Sequence, residues 1–205
     1  MKSATPTRER ILESSEELFR RRGYAGTGLK AILAASDAPY GSLYHFFPGG
    51  KEELGVAALR AGGMTYRELV GAVYEPGADV VTATENFFAG AAAVLEATEF
   101  ADACPIATVA LEIADTSEPM RNAAAEAFES WLAVLTERFV SSGIDERRAR
   151  EVAIELFCAI EGAFLLSRTT RNIDAVHVAG RAATTSVRRA VEESARPSKP
   201  RPRAG

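Results

Sequence analysis

Gly41-Ser42-Leu43-Tyr44-His45-Phe46-Phe47-Pro48-Gly49-Gly50-Lys51-Glu52-Glu53-Leu54 holds the signals that decide how this chain folds. Tyr40 to Phe47 reads as a short helix opened by Pro39 and stopped abruptly by Pro48-Gly49-Gly50; a new helix begins at Lys51. Immediately upstream, Asp37-Ala38-Pro39 is a tight connection, and Asp37 tolerates a left-handed backbone better than most residues. Before it, Thr27 is placed as N-cap of another short helix, through Ile32 and Leu33 to about Ser36. A first helix opens at Thr5 or Thr7, with Pro6 suited to an early helical position. It puts Ile11, Leu12, Ser15, Leu18 and Phe19 on one face, leaves Glu9, Glu13, Glu16, Arg20 and Arg21 largely outside it, and stops at Gly23. One amphipathic helix followed by two short helices across a tight turn is the helix-turn-helix arrangement.

Working outward, a long helix from Lys51 passes Leu54, Ala58, Leu59, Leu69 and Val73, weakened at Gly62-Gly63, a possible flexing point or a harmless irregularity. After Pro76-Gly77, helical periodicity continues near 79–98, 105–116, 119–141, 145–170 and 174–193, with no convincing strand pattern and no internal repeat. The expectation is an all-α fold of about nine helices. Residues 1–50 form a helix-turn-helix unit, 51–193 a helical ligand-binding and dimerisation body, and 194–205 a basic tail whose alternation of proline and charge predicts disorder.

Composition narrows the classes. Of 205 residues, 47% are hydrophobic and 25% charged, as in an ordinary soluble globular chain. No apolar run approaches the ~20 residues a membrane span needs, and Met1-Lys2-Ser3-Ala4-Thr5-Pro6 lacks the apolar stretch of a signal peptide. Cys104 and Cys158 form no CxxC, which favours a reducing, cytoplasmic setting. The net charge of −4 is unevenly spread: residues 1–60 carry nine basic and seven acidic groups, residues 61–195 carry 11 and 21, and the last ten add four basic groups. A mildly basic head on an acidic body suits one face to a polyanion.

If the two short helices lock through Ile32, Leu33, Leu43 and Phe47, the second offers Pro39, Tyr40, Gly41, Ser42, Tyr44 and His45 to DNA. Gly41 and Ser42 permit close approach to the groove, while Tyr40, Tyr44 and His45 reach phosphates or base edges. Thr27 with the first amides of its helix, and the helix start at Gly50-Lys51, are candidate phosphate holders. Lys30 and Lys51 add charge attraction.

The same residues carry a resemblance. Thr7-Arg8-Glu9-Arg10-Ile11-Leu12, Leu18-Phe19, Gly23-Tyr24-Ala25-Gly26-Thr27 and the Gly41–Leu54 stretch resemble the DNA-binding domain of TetR-type transcriptional regulators, closely over about residues 6–60. Pro48-Gly49-Gly50-Lys51 and Cys104-Pro105-Ile106-Ala107-Thr108 resemble the LmrA/YxaF branch of drug-responsive repressors. Two departures stand out. Asp37-Ala38-Pro39 replaces the frequent Gly-Val-Ser turn, and Tyr40 and Phe46 stand where relatives often carry basic or polar residues, which bears on the operator sequence. The resemblance implies a homodimeric repressor on a palindromic double-stranded DNA operator, released by a small, largely apolar inducer. It implies no cofactor, no metal and no membrane.

For the inducer site, Phe87, Phe88, Leu95, Phe100, Leu111, Trp131, Leu135 and Phe157 are available linings, although residues at such helical spacing are more often plain core than a ligand cage. The ligand contacts expected are Phe88, Leu111, Glu112, Trp131, Phe157 and Glu161. Glu161 and Glu112 sit within apolar runs, either as ligand anchors or as satisfied structural hydrogen bonds. Small and apolar residues of the last two helices, Ala159, Ala163, Leu166, Val176, Ala179, Ala183 and Val187, suit a four-helix dimer interface or an intramolecular core.

Two other classes compete. An enzyme would need a constellation that His45, His177 and Cys104 do not spell: there is no HExxH, GxSxG or paired metal-ligand spacing, and Cys104 reads as an inert thiol. An architectural DNA binder would need a basic body rather than an acidic, aromatic one.

Overall fold

The computed structural model describes residues 6–102 and 104–195. Among these the chain forms nine α-helices and no strand: α1 Thr7–Arg22, α2 Leu29–Ala35, α3 Tyr40–Phe46, α4 Gly50–Val73, α5 Val80–Ala97, α6 Ala107–Ile113, α7 Glu118–Ser141, α8 Glu146–Thr170 and α9 Asp174–Ser194. Helix ends follow local chemistry. Side chains of Asp79, Ser117 and Asp145 cap α5, α7 and α8 by accepting from the amides of Thr82, Met120 and Arg148. Gly23, at φ 76°, ends α1, and Asp37, at φ 46°, makes the α2–α3 turn in the left-handed region. The helix expected over 105–116 is shorter, and Ser194, placed in the tail, closes α9. The remainder of the expected disordered tail, 196–205, lies outside the described residues.

Thr27 is not the N-cap of α2. That position belongs to Gly28, which provides no side-chain bond. The buried Thr27 hydroxyl turns back, donating to the carbonyls of Gly23 at 2.8 Å and Leu18 at 3.3 Å, and so staples the α1–α2 loop.

Two cores divide the molecule. One joins Ile11, Ile32, Leu43 and Phe47 of the head to Leu54 and Leu59 of α4, Val109 and Ile113 of α6, and Met120 and Trp131 of α7. The other lies between α4, α5, α7, α8 and α9 and includes Val70, Tyr74, Phe88, Leu135, Leu156 and Val176. α4 contributes to both, so the residue 50/51 division falls at the start of a helix shared by the two halves.

Gly62 and Gly63 do not interrupt α4. A Cβ on Gly63 would sit 2.7 Å from Cβ of Ala127 in α7, and the Gly63 carbonyl accepts a 2.7 Å bond from Nε1 of Trp131. The Gly63 position lets α4 and α7 touch backbone to backbone, which gives it a packing reason rather than a flexing one.

Candidate functional site

The helix-turn-helix divides its side chains as its periodicity requires. In α3, Leu43 is fully buried, and Phe47 just beyond it is nearly so; Tyr40 and Tyr44 are 61% and 48% exposed and lie ring to ring at 6.2 Å. Pro39, Gly41 and His45 are exposed and Ser42 is half-buried, with His45 edge-on to Phe46 at 4.8 Å. Lys30 is exposed on α2 and shares a shallow groove with Tyr40. Sequence reasoning missed the residue that pins this unit. Arg10 of α1 donates from Nε to the Ser36 carbonyl at 2.9 Å and from Nη2 to the Asp37 carbonyl at 3.2 Å, fixing the turn that aims α3.

Two of the residues assigned to phosphate have work inside the protein. Thr27 is spent on carbonyls, as described. Lys51 donates from Nζ to the Tyr24 carbonyl at 2.7 Å and lies 4.2 Å from the centre of the Tyr24 ring. Burial pushes the Lys51 ammonium below its ordinary range, with the Glu112 charge opposing. At the start of α4 the Gly49 amide donates to Oε2 of Glu53 at 2.7 Å and the Gly50 amide to the Phe47 carbonyl at 2.9 Å. Those two donors are therefore already occupied.

Polar contacts also tie the head and the start of α4 to the rest of the body. Glu112 accepts from the Ala25 amide at 2.6 Å, and Glu52 accepts from the Ser117 hydroxyl at 2.5 Å. Asp102 accepts from Nη1 of Arg20 at 2.5 Å, with Nε of Arg21 at 3.7 Å. Asp102 is 8% exposed, so this pair is better insulated from water than a surface bridge.

An apolar cavity of about 200 Å³ opens between α4, α5, α7 and α8. Trp131 and Phe157 stack along one side with centroids 5.7 Å apart, and Tyr66 lies 5.7 Å from Trp131. Phe87 and Phe164 complete its aromatic lining. Glu161 and Cys104 are its carboxylate and thiol, near enough to act on each other's ionisation. Burial raises both above their ordinary ranges, and the Glu161 carboxylate pushes Cys104 up further. Burial also raises Tyr66, with the Cys104 and Asp102 charges adding to the rise and Arg20 opposing it. The segment carrying Cys104 into the cavity thus carries Asp102, two residues earlier, to α1.

Residues 11–58 match the profile of "Bacterial regulatory proteins, tetR family" and residues 80–182 that of "Transcriptional regulator LmrA/YxaF-like, C-terminal domain". The chain belongs to the TetR family of transcriptional regulators. Among its relatives, the uncharacterized HTH-type regulator YxaF of Bacillus subtilis is 36% identical, the match covering 84% of this chain and 90% of that one. HTH-type transcriptional regulator LmrA of the same organism is also 36% identical, over 81% and 88%. The fold recurs in TetR from Rhodobacter sphaeroides (TM-score 0.79, 20% identity, covering 89% and 99%) and in reduced Escherichia coli NemR (0.75, 23%, 87% and 95%). Among the described residues no helix is long and apolar enough to cross a membrane.

Within this TetR-family body, Trp131, Phe157 and Glu161 meet in the cavity and three other expected ligand residues do not. Phe88 packs on α9, its Cβ 2.8 Å from where a Gly180 Cβ would stand; its neighbour Phe87 faces the cavity. Successive helical residues point about 100° apart, and both are phenylalanine, so only the packing of α5 chooses between them. Leu111 is 87% exposed. Glu112 lies at the head–body joint, its carboxylate on the α1–α2 loop rather than in the cavity. The expected dimer residues divide likewise. Ala163, Val176 and Ala183 are buried in this subunit's own core, because the faces of α8 and α9 that carry them pack inward. Ala159 and Ala179 are half-buried, and Leu166 is 57% exposed. Leu165 of α8 and Val178 of α9 are likewise exposed, at 66% and 56%.

Proposed function

We propose that this TetR-family regulator is a homodimeric repressor that binds a palindromic operator in the cytoplasm and releases it when a small, largely apolar molecule enters the body cavity. Residues 1–50 are the DNA-reading head and residues 51–193 the sensing and dimerising body. Pro39, Tyr40, Gly41, Ser42, Tyr44 and His45 face base edges and phosphates, Lys30 attracts the backbone, and Lys51 does so with the donors that Tyr24 leaves open. Dimerisation through the outer faces of α8 and α9 is supported by the exposed Leu165, Leu166 and Val178, large apolar side chains that water alone would leave as a hydrophobic patch. A two-fold dimer would set its recognition helices on half-sites about 34–36 Å apart or a multiple of it.

The observation that carries the sensor reading is the link from cavity to head. Cys104 lines the cavity beside Glu161, and Asp102, on the same short connection, holds Arg20 and Arg21 of α1. A ligand that displaces the Cys104 segment pulls on Asp102 and tilts α1 with the helix-turn-helix pinned to it through Arg10. To act, the ligand must prefer the tilted state, because equal affinity for both states shifts nothing. The regulatory role itself leaves no catalytic step to assign.

The test is selection of bound DNA from a random pool by the full-length protein, followed by light scattering on the free protein and on the complex. A two-fold symmetric consensus bound by a dimer is expected. An asymmetric consensus, or a free protein that stays monomeric at every concentration, overturns the dimeric-operator reading.

A further inference from the structure

We infer that the body cavity is built for a lipophilic amine, its ammonium group on Glu161 and its hydrocarbon against the rings of Trp131, Phe157 and Phe87. This rests on the cavity being the inducer site, as proposed above.

Charge is the first argument. The cavity lining contains one carboxylate, Glu161, and no lysine, arginine or histidine. An anionic ligand would meet that acid, and Arg20, the cation that acts on the lining residue Tyr66, is already paired with Asp102. Partner chemistry is the second. Glu161 is partly buried in the cavity wall, and the polar side chain beside it is the Cys104 thiol, a weak donor. Its carboxyl is held above the ordinary range by that burial, so the ionised form lacks a strong partner. An ammonium group supplies one, with a charge-assisted hydrogen bond in a water-poor site. A neutral hydrocarbon would leave the acid as it is.

Aromatic geometry is the third argument. Trp131 and Phe157 stack with an interplanar angle of 27°, and Phe87 and Phe164 line the same space. These rings give the hydrocarbon of such a ligand an aromatic surface to cover, while its charged end stays on the carboxylate. Trp131 cannot swing away, because its Nε1 is held on the Gly63 carbonyl. Carboxylate and aromatic faces are thus presented together on elements already fixed by the α4–α7 contact.

The experiment uses 4-phenylbutylamine, 4-phenylbutanol and 4-phenylbutyrate, which share one skeleton and differ in charge. Each is titrated by calorimetry into the full-length protein and into Glu161→Gln, Ala91→Phe and Val94→Phe, with thermal melting to verify that every variant folds. The amine is expected to bind about tenfold or more tighter than the alcohol, the difference one charge-assisted hydrogen bond makes, and the acid not at all. Glu161→Gln, which keeps the shape, should erase the amine's advantage and leave the alcohol unchanged. The two phenylalanine variants fill the cavity from different turns of α5, so at least one folded variant should abolish binding. Equal binding of amine and alcohol, both abolished by filling, overturns the amine and leaves the cavity as the sensor. Binding that survives filling overturns both. Binding of none of the three probes overturns the amine.

Discussion

Replacing Gly63 and Gly62 separately with alanine should move stability in opposite directions. On Gly63 the new methyl carbon starts 2.7 Å from Cβ and 3.5 Å from Cα of Ala127. Two such carbons rest at about 3.5–4.0 Å, so the pair is nearly an ångström too close, and Ala127 has no flexible arm to retract. The helices must part. Overpacking of this kind costs about 1–3 kcal/mol, and parting also stretches the 2.7 Å bond from Trp131 to the Gly63 carbonyl, worth about 1 kcal/mol. Against this, alanine gains up to about 1 kcal/mol of helix propensity. The net expectation for Gly63→Ala is a loss of about 1–3 kcal/mol, which at about 2–4 °C per kcal/mol is a fall in Tm of roughly 2–12 °C. On Gly62 the methyl carbon meets Pro105 at 3.6 Å, an ordinary contact, so only the propensity gain remains and Tm should rise by roughly 1–4 °C. Urea and thermal unfolding followed by circular dichroism measure both, with Trp131 emission reporting its altered surroundings in Gly63→Ala alone. A Gly63→Ala protein as stable as wild type would refute the close-approach reasoning. Gly62→Ala should also keep its response to inducer, which a flexing point at these glycines would forbid.

Other expectations follow from the same contacts. Burial first and the Glu13 charge second push the Glu16 carboxyl up to about 7, with Arg20 opposing. The folded chain therefore holds this proton more tightly than the unfolded one, and wild-type stability falls as pH rises from 4.5 through 7. Glu16→Gln should flatten that fall, gaining about 1–2 kcal/mol at pH 8.5 after allowance for partial solvent screening; a gain equally large at pH 4.5 would contradict it. Asp102→Asn should bind inducer as wild type does yet lose most of the drop in operator affinity that inducer causes; an unaltered drop excludes the Asp102 link. Lys51→Ala should lower Tm by a few degrees, through loss of the Tyr24 contacts worth about 1–2 kcal/mol. It should also weaken DNA binding on all sequences alike, and retained operator affinity would remove Lys51 from the phosphate contacts. Leu165→Glu with Leu166→Glu should leave a folded monomer by light scattering, whereas a persistent dimer places the interface elsewhere.

The helix-turn-helix was readable because its signals are local. Pro48-Gly49-Gly50 must end one helix, Asp37 can turn left-handed, and the spacing of Leu43 and Phe47 assigns an inner face whatever lies around it. The cavity was only half readable. Trp131, Phe157 and Glu161 stand out as large apolar residues, or an acid among them, at helical spacing, but the same criterion selects Phe88 and Leu111, which lie respectively against α9 and in solvent. Glu112 and Thr27 failed for another reason: each satisfies a partner on a different element, and composition cannot show where that element will be.

Helix number, helix breaks and the uneven distribution of charge between head and body were set by the sequence alone, because they depend on residues within a few positions of one another. What only the tertiary structure decided is which face of each helix turns where. It turned Phe87 rather than Phe88 to the cavity, drew Ala163 and Ala183 inward while leaving Leu166 outside, and made Gly63 a contact. It also brought Asp102 to Arg20, across 82 residues of sequence, so that the wall of the cavity reaches the DNA-reading head. Such choices follow from how nine amphipathic helices share two cores, and no single helix contains that information.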